Sequence, residues 1–125
     1  MIISDFTLNG VVIKTPQALT VENHIEFQEV LLLNGKKKKR VKRTYRIATL
    51  SFSMLNNKEL QKIIAETLTK ALTEGITTVD ICFLGLSGEM ETMTANFGGI
   101  SATAVAESVM NDAWSEIDDL VFEEV

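Results

Sequence analysis

Between Leu19 and Leu33 the apolar side chains Leu19, Val21, Ile25, Phe27, Leu31 and Leu33 share odd positions, while Thr20, Glu22, His24, Glu26 and Gln28 hold even ones. A period of two over this length predicts a long β-strand with one face buried, and it places His24 on the polar face. Alternation resumes at Val41, Tyr45 and Ile47, then changes phase to Leu50, Phe52 and Met54. A one-residue slip exchanges the two faces of a strand, so a bulge or bend is expected near Ala48–Thr49. Asn9-Gly10, set between Phe6-Thr7-Leu8 and Val11-Val12-Ile13, reads as a hairpin turn, and so does Asn34-Gly35. Asn-Gly accepts positive φ at both central turn positions. Pro16 has no N–H to give a ladder and closes the strand before it.

The period lengthens after Asn56. Leu60, Ile63, Ile64, Leu68, Ala71 and Leu72 form an apolar stripe at helical spacing. Asn56 can cap this helix, with Glu59 at capping-box spacing, and Gly75 can end it in the left-handed conformation. One stripe implies one buried face, so a single helix over about 56–74 is expected to lie against a sheet. Thr77, Val79, Ile81 and Phe83 predict another strand. Gly85–Gly88 turns the chain, and Glu89–Phe97 returns with Met93, Ala95 and Phe97 on one side. Residues 100–112 fit no single period. Trp114–Val125 fits a helix or a closing strand with a bulge, and the β-branched and aromatic residues at its end favour the strand. The expected fold is α+β and mostly antiparallel: a β-sandwich or open barrel flanked by one amphipathic helix.

The 125 residues suit one domain, 1–125, carrying a basic hairpin arm at about 34–44. A hydrophobic fraction of 46% against 23% charged argues for a folded chain throughout. One Cys and one His exclude an internal disulfide framework and a cysteine-built zinc site. The apolar runs are too short to span a membrane as a helix. The N-terminus lacks the basic flank of a signal peptide, so cytoplasmic synthesis is the default.

Charge changes the picture more than composition does. The net charge is −5, yet residues 1–70 hold all 12 bases and 6 of the 17 acids, whereas residues 71–125 hold 11 acids and no base. Eight of the bases fall between Lys36 and Arg46. Such polarity suggests a charged partner or head-to-tail self-association. The cluster Lys36, Lys37, Lys38, Lys39, Arg40, Lys42 and Arg43 admits three readings: a protein contact, a solvated loop, or a nucleic-acid element that neutralises phosphates. Tyr45 at its edge is the one aromatic available for base stacking. The acids Glu116, Asp118, Asp119, Glu123 and Glu124 lack EF-hand spacing and read as a solvated or partner-facing surface. A contact between this basic arm and a neighbour's acids would account for both charge blocks.

No catalytic set emerges. His24 stands alone on a polar strand face, and Cys82 lies in an apolar strand with Asp80 on its own face, which opposes a thiolate. Gly85-Leu86-Ser87-Gly88 and Gly98-Gly99 lack the ending of a phosphate loop and read as turns. No cofactor, metal or small-molecule substrate is expected.

The residues also carry a family resemblance. Asn9-Gly10 with Val12, Ile13 and Pro16, the stretch Arg43–Phe52, the helix opening Leu55–Ile64 and a Trp before a short apolar terminal strand together resemble small tail proteins of siphophages and prophages of Gram-positive bacteria. The resemblance spans most of residues 5–97. It implies a fold like that of the tail tube, a sandwich or barrel with one flanking helix. It also implies assembly into rings or stacks, often hexameric, within the virion tail, tail tube or baseplate, with copies of itself and other tail proteins as partners. The four-lysine run and the acidic C-terminal segment depart from the pattern. The alternative reading is a small nucleic-acid-binding module using the Lys36–Arg43 hairpin.

Overall fold

A computed structural model of the chain describes residues 5–102, 113–115 and 117–125. The strands are β1 (Thr7–Leu8), β2 (Val11–Val12), β3 (Ala18–Leu31), β4 (Lys37–Ser51), β5 (Met54–Asn56), β6 (Thr78–Leu84), β7 (Met90–Phe97), β8 (Ala113–Ser115) and β9 (Leu120–Glu124). The helices α1 (Asn57–Glu66) and α2 (Leu68–Glu74) lie between β5 and β6. Among the described residues, seven strands form one open sheet in the order β2-β1-β6-β7-β9-β4-β3, and β5 pairs with β8 in a separate ribbon. Every pairing is antiparallel. The expected α+β, mostly antiparallel class is therefore what forms, and the sheet does not close.

Alternation sets the core. Ala48 and Leu50 of β4, Leu120 and Phe122 of β9, Met93 and Ala95 of β7, and Val79, Ile81 and Phe83 of β6 are buried on one sheet face. Leu60 and Ile63 of α1 and Leu55 of β5 join them in a single cluster. The opposite face stays open and carries Thr20, Thr49, Thr92, Thr94, Asp80, Cys82 and Glu123.

The first hairpin turns at Asn9 (φ 51°) and Gly10 (φ 82°), with Leu8 opposite Val11. The Asn9 carboxamide accepts from the Asp80 N–H at 2.9 Å and donates to the Glu66 carboxylate at 3.1 Å, tying this turn to β6 and to the end of α1. The Asn56 side chain caps α1 by accepting from the Glu59 N–H at 2.8 Å, and Gly75 ends α2 at φ 69°.

Three expectations need correction. The helix is two helices, because Thr67 leaves helical geometry (φ −119°, ψ −84°) while its hydroxyl donates to the Ile63 carbonyl at 2.7 Å. That competing local bond is the known tendency of threonine inside a helix. Past the break the apolar stripe loses its purpose: α2 buries no residue fully, and Leu72 is exposed. The bulge is not at Ala48–Thr49, where β4 runs on without a slip. It lies between Glu26 and Phe27, opposite the extra residue Lys42. The apparent phase change arose because Tyr45 and Ile47 sit on the open face, while the core face at this level is held by Ala48 and by Arg46. Finally, the long strand buries one face only at its root. Leu19 and Val21 pack against the core, but Ile25, Phe27 and Leu31 are 52%, 55% and 70% exposed. The closing strand is present as β9, whereas Trp114 belongs to the separate strand β8. Of the ambiguous stretch 100–112, residues 100–102 form neither helix nor strand and residues 103–112 lie outside the described residues.

This division makes a prediction. Leu50→Ala removes a fully buried side chain and should lower unfolding stability by about 2–5 kcal/mol, whereas Phe27→Ala, on the exposed length, should change it by less than about 1 kcal/mol. Urea denaturation of the two variants checks the contrast.

Candidate functional site: a β-ribbon arm and the fork at its root

β3 and β4 pair from Ala18↔Ser51 to Leu31↔Lys37, but β9 pairs with β4 only from Ile47 to Leu50. Beyond that level the two strands leave the sheet together as a two-stranded arm. Its turn is closed by the Leu32 N–H donating to the Lys36 carbonyl, with Gly35 at φ 83°. Lys37, Lys38, Lys39, Arg40, Lys42 and Arg43 therefore lie within a paired strand, and only Lys36 belongs to the turn.

Residues directly opposite in an antiparallel pair share a face. On the core side the layers run outward as Leu19/Leu50, Val21/Ala48, Asn23/Arg46, Ile25/Thr44 and Phe27/Val41. The Lys42 bulge keeps Val41 on this face. Val41 is 55% exposed, so beyond the protein's own core this face carries an apolar stripe of Ile25, Phe27 and Val41, followed by the charged layer Glu29/Lys39 and then by Leu31/Lys37. The Lys39 ammonium lies 5.8 Å from the Phe27 ring centre. On the open face, His24 stacks on Tyr45 with ring centres 5.1 Å apart, and the Arg43 guanidinium sits 4.6 Å from the Tyr45 ring. His24 is thus half-buried in a stack rather than free in solvent.

Between core and arm lies a polar layer built on Arg46. β9 ends at Glu124, leaving β4 and β7 a strand's width apart, roughly 10 Å. Arg46 reaches across this gap. Its Nη2 donates to Glu124 Oε2 at 2.7 Å and its Nη1 to Glu91 Oε1 at 2.8 Å, while Nη2 also reaches the Thr92 carbonyl at 3.3 Å. The Arg46 backbone N–H donates to Glu124 Oε1 at 3.0 Å, so a side chain takes the place of the next ladder bond. The guanidinium lies 5.9 Å from the Phe83 ring centre. Glu91 is held in turn by the Ser87 hydroxyl at 2.9 Å. A Cβ on Gly85 would occupy the space of the Glu91 carboxylate, so glycine there keeps that acid in place.

The hydrogen bonds from Arg46 hold the carboxyl groups of both Glu124 and Glu91 below their ordinary range, against the opposing effect of burial. Ser87 adds to this at Glu91. Arg46 itself is shifted upward, chiefly by its hydrogen bonds to Glu124. The Glu124 carbonyl also accepts from the Arg43 side chain at 3.0 Å.

The sequence-expected interface residues thus divide. The bases come together on the arm. Asp118 and Asp119 are exposed before β9, and Glu123 is exposed on the open face. Glu124 is engaged within the chain, and Glu116 lies outside the described residues. Sequence reasoning missed Arg46 as the fork residue. The available signal was a lone base between Tyr45 and Ile47 in an otherwise uncharged stretch. It also missed the apolar stripe, because period two states that a face is apolar and not what covers it. Cys82 is half-buried beside Asp80 on the open face. Among the described residues no three His, Cys, Asp or Glu side chains gather as a metal site, and no helix is long and apolar enough to cross a membrane.

Comparison of the chain with protein-family models, with curated proteins and with solved structures returned no match.

The fork has a pH signature. Glu91 and Glu124 have folded pKa values below their ordinary 4.5, so their contribution is fully present above about pH 4.5 and is lost as pH falls through the depressed values. Arg46→Met should cost about 2 kcal/mol at pH 7 and flatten the loss of stability between pH 4.5 and 3. Urea midpoints of both proteins across that range provide the check.

Proposed function

We propose that this chain is a non-enzymatic structural subunit, of the kind found in the tail, tail tube or baseplate of a bacterial virus, that assembles in the virion through its β-ribbon arm. The observation that carries this reading is the arm's exposed apolar stripe. Ile25, Phe27 and Val41 extend a core face beyond the protein's own core, up to the charged layer Glu29/Lys39. Full burial of such side chains stabilises by roughly 1.5–3 kcal/mol each, and soluble chains seldom leave contiguous apolar surface without a partner. Assembly supplies that burial. The residues that resemble small siphophage tail proteins, Arg43–Phe52 above all, build the root of this arm and the strand it grows from. Its location would be the virion tail, after synthesis in the bacterial host.

A second reading draws on the ribbon's shape. A two-stranded ribbon can enter a DNA major groove, and six bases lie along β4 from Lys37 to Arg43. It leaves the apolar stripe unexplained, and the net charge of −5 opposes it. Retention in a gel shift at low salt, abolished by neutralising Lys37–Lys39, would favour it.

Light scattering behind size exclusion tests the assembly reading. The expected result is an assembly larger than the monomer at low salt that shrinks as salt rises. The Phe27→Ser/Val41→Ser variant should stay monomeric with its unfolding midpoint within about 1 kcal/mol of the parent. A parent that remains monomeric at high concentration in both salts overturns the proposal.

A further inference from the structure

The arm has two edges, and they differ in charge. β3 is the last strand of the sheet, and among the described residues no strand pairs with its outer side over Ala18–Leu31. That strand carries Glu22, Glu26 and Glu29 and holds no Lys, Arg or Pro. Edge strands of this length normally carry such residues to block pairing with another chain. The other edge is β4 beyond the end of β9, where no described strand pairs with Lys37–Tyr45 from that side. It carries Lys37, Lys38, Lys39, Arg40, Lys42 and Arg43. Within one chain the two strands already match acid to base, with Glu26 opposite Arg43 and Glu29 opposite Lys39.

We infer that the basic β4 edge of one copy pairs antiparallel with the acidic β3 edge of a second copy, so that the subunits join head to tail through their arms. This rests on the assembly reading above and names the partner surface within it. Charge selects the arrangement. A twofold pairing of β3 with β3 sets three glutamates against three, and β4 with β4 sets lysines against lysines, and like charges opposite one another destabilise a sheet. Pairing β4 with β3 instead sets the bases of one copy against a strand that carries acids and no base. It is heterologous, and it propagates.

The fork fixes how the copies are offset. β9 and β7 occupy the space beside β4 as far as Glu91, which Arg46 touches across the gap. A neighbour's β3 can therefore meet β4 only above that level, along the stretch from Lys37 to about Arg43. The second copy is displaced along the strand direction by an even number of residues, about six, or roughly 20 Å. The subunits step upward as a stack instead of lying side by side at one level. Such a displacement keeps like faces aligned, so the arm's apolar stripe comes beside Leu19 and Val21, the half-buried rim of the neighbour's core. The acidic partner of the arm is then β3 rather than the C-terminal segment, whose Glu124 already serves Arg46.

Disulfide trapping tests this. In a Cys82→Ser background, Arg40→Cys protein is mixed in turn with Glu22→Cys, Glu26→Cys or Gln28→Cys protein and oxidised, and the cross-linked species are weighed by mass spectrometry. The expected result is a mixed dimer exceeding both homodimers for Glu22→Cys, which the displacement sets opposite Arg40, suppressed by high salt; a mixed dimer confined to Gln28→Cys, the position opposite Arg40 within one chain, would overturn the displacement. Homodimers of the β3 variants in excess would mean twofold pairing and overturn the inference. Absence of cross-links in a protein that scatters as an oligomer would overturn arm pairing while leaving self-assembly standing. Absence of cross-links in a monomeric protein would overturn both.

Discussion

When a strand ends inside a sheet, its two neighbours must either be bridged or part company. β9 ends at Glu124 while β4 and β7 continue on either side of it. Arg46 does the bridging, from one strand across a missing one, and it can do so because a guanidinium presents several donors in a fixed plane. Two carboxylates neutralise it in a half-buried layer, where its side chain is 26% exposed. Below this layer the face is core. Above it β4 and β3 are released from the sheet together, and everything assigned to the arm follows from where that release occurs. An isolated two-stranded ribbon is marginal in water. This one is rooted by four residue pairs between β4 and β9 and locked at the fork.

The arm shows one pattern meeting two fates. Leu19 and Val21 are followed at the same spacing by Ile25, Phe27 and Leu31, and the backbone ladder to β4 continues to the arm's tip, shifted once at the Lys42 bulge. What differs is the lateral environment. At the root, β9, β7 and α1 give the face something to pack against. Further out nothing of the described chain does. Half-burial is a property of a strand together with its cover, so a strand that outruns its own cover specifies a surface for another molecule by the same alternation that specifies a core.

This is also where sequence legibility stops. The Asn9-Gly10 turn, the Asn56 cap, the Gly75 stop and the strands at 78–84 and 90–97 depend on neighbours a few residues away, and local chemistry sufficed for them. Thr67 could not be read as a break, because threonine is tolerated in many helices and its bond to Ile63 wins only where packing on the following turn is weak. The bulge was placed wrongly for a different reason. Tyr45 and Ile47 are apolar and face the open side, while Arg46 is charged and faces the core side, so hydrophobicity reported the faces in reverse at this level. Recognising that needs Glu91 and Glu124, which are 45 and 78 residues away. The candidate site was legible as a basic hairpin. Its apolar face, its two unlike edges and the residue that roots it were not.

The charge polarity of the sequence takes a different meaning in three dimensions. Read linearly, a basic first half and an acidic second half suggest two blocks awaiting each other. In the fold, two of the C-terminal-half acids are already bound to Arg46 at the arm's root, and Glu123 lies on the open face away from the arm's apolar stripe. The acids most intimately placed with the lysines are those of β3, on the same arm. Seven bases from Lys36 to Arg43 outnumber Glu22, Glu26 and Glu29, so the arm keeps a positive excess while the rest of the chain is negative. A positive projection on a negative body repels a like projection and attracts the body of another copy. Two such molecules meeting arm to arm about a twofold axis bring excess to excess, whereas meeting head to tail brings each arm to an acidic edge. The asymmetry that makes the chain look divided in sequence is thus the asymmetry that would give the proposed association a direction.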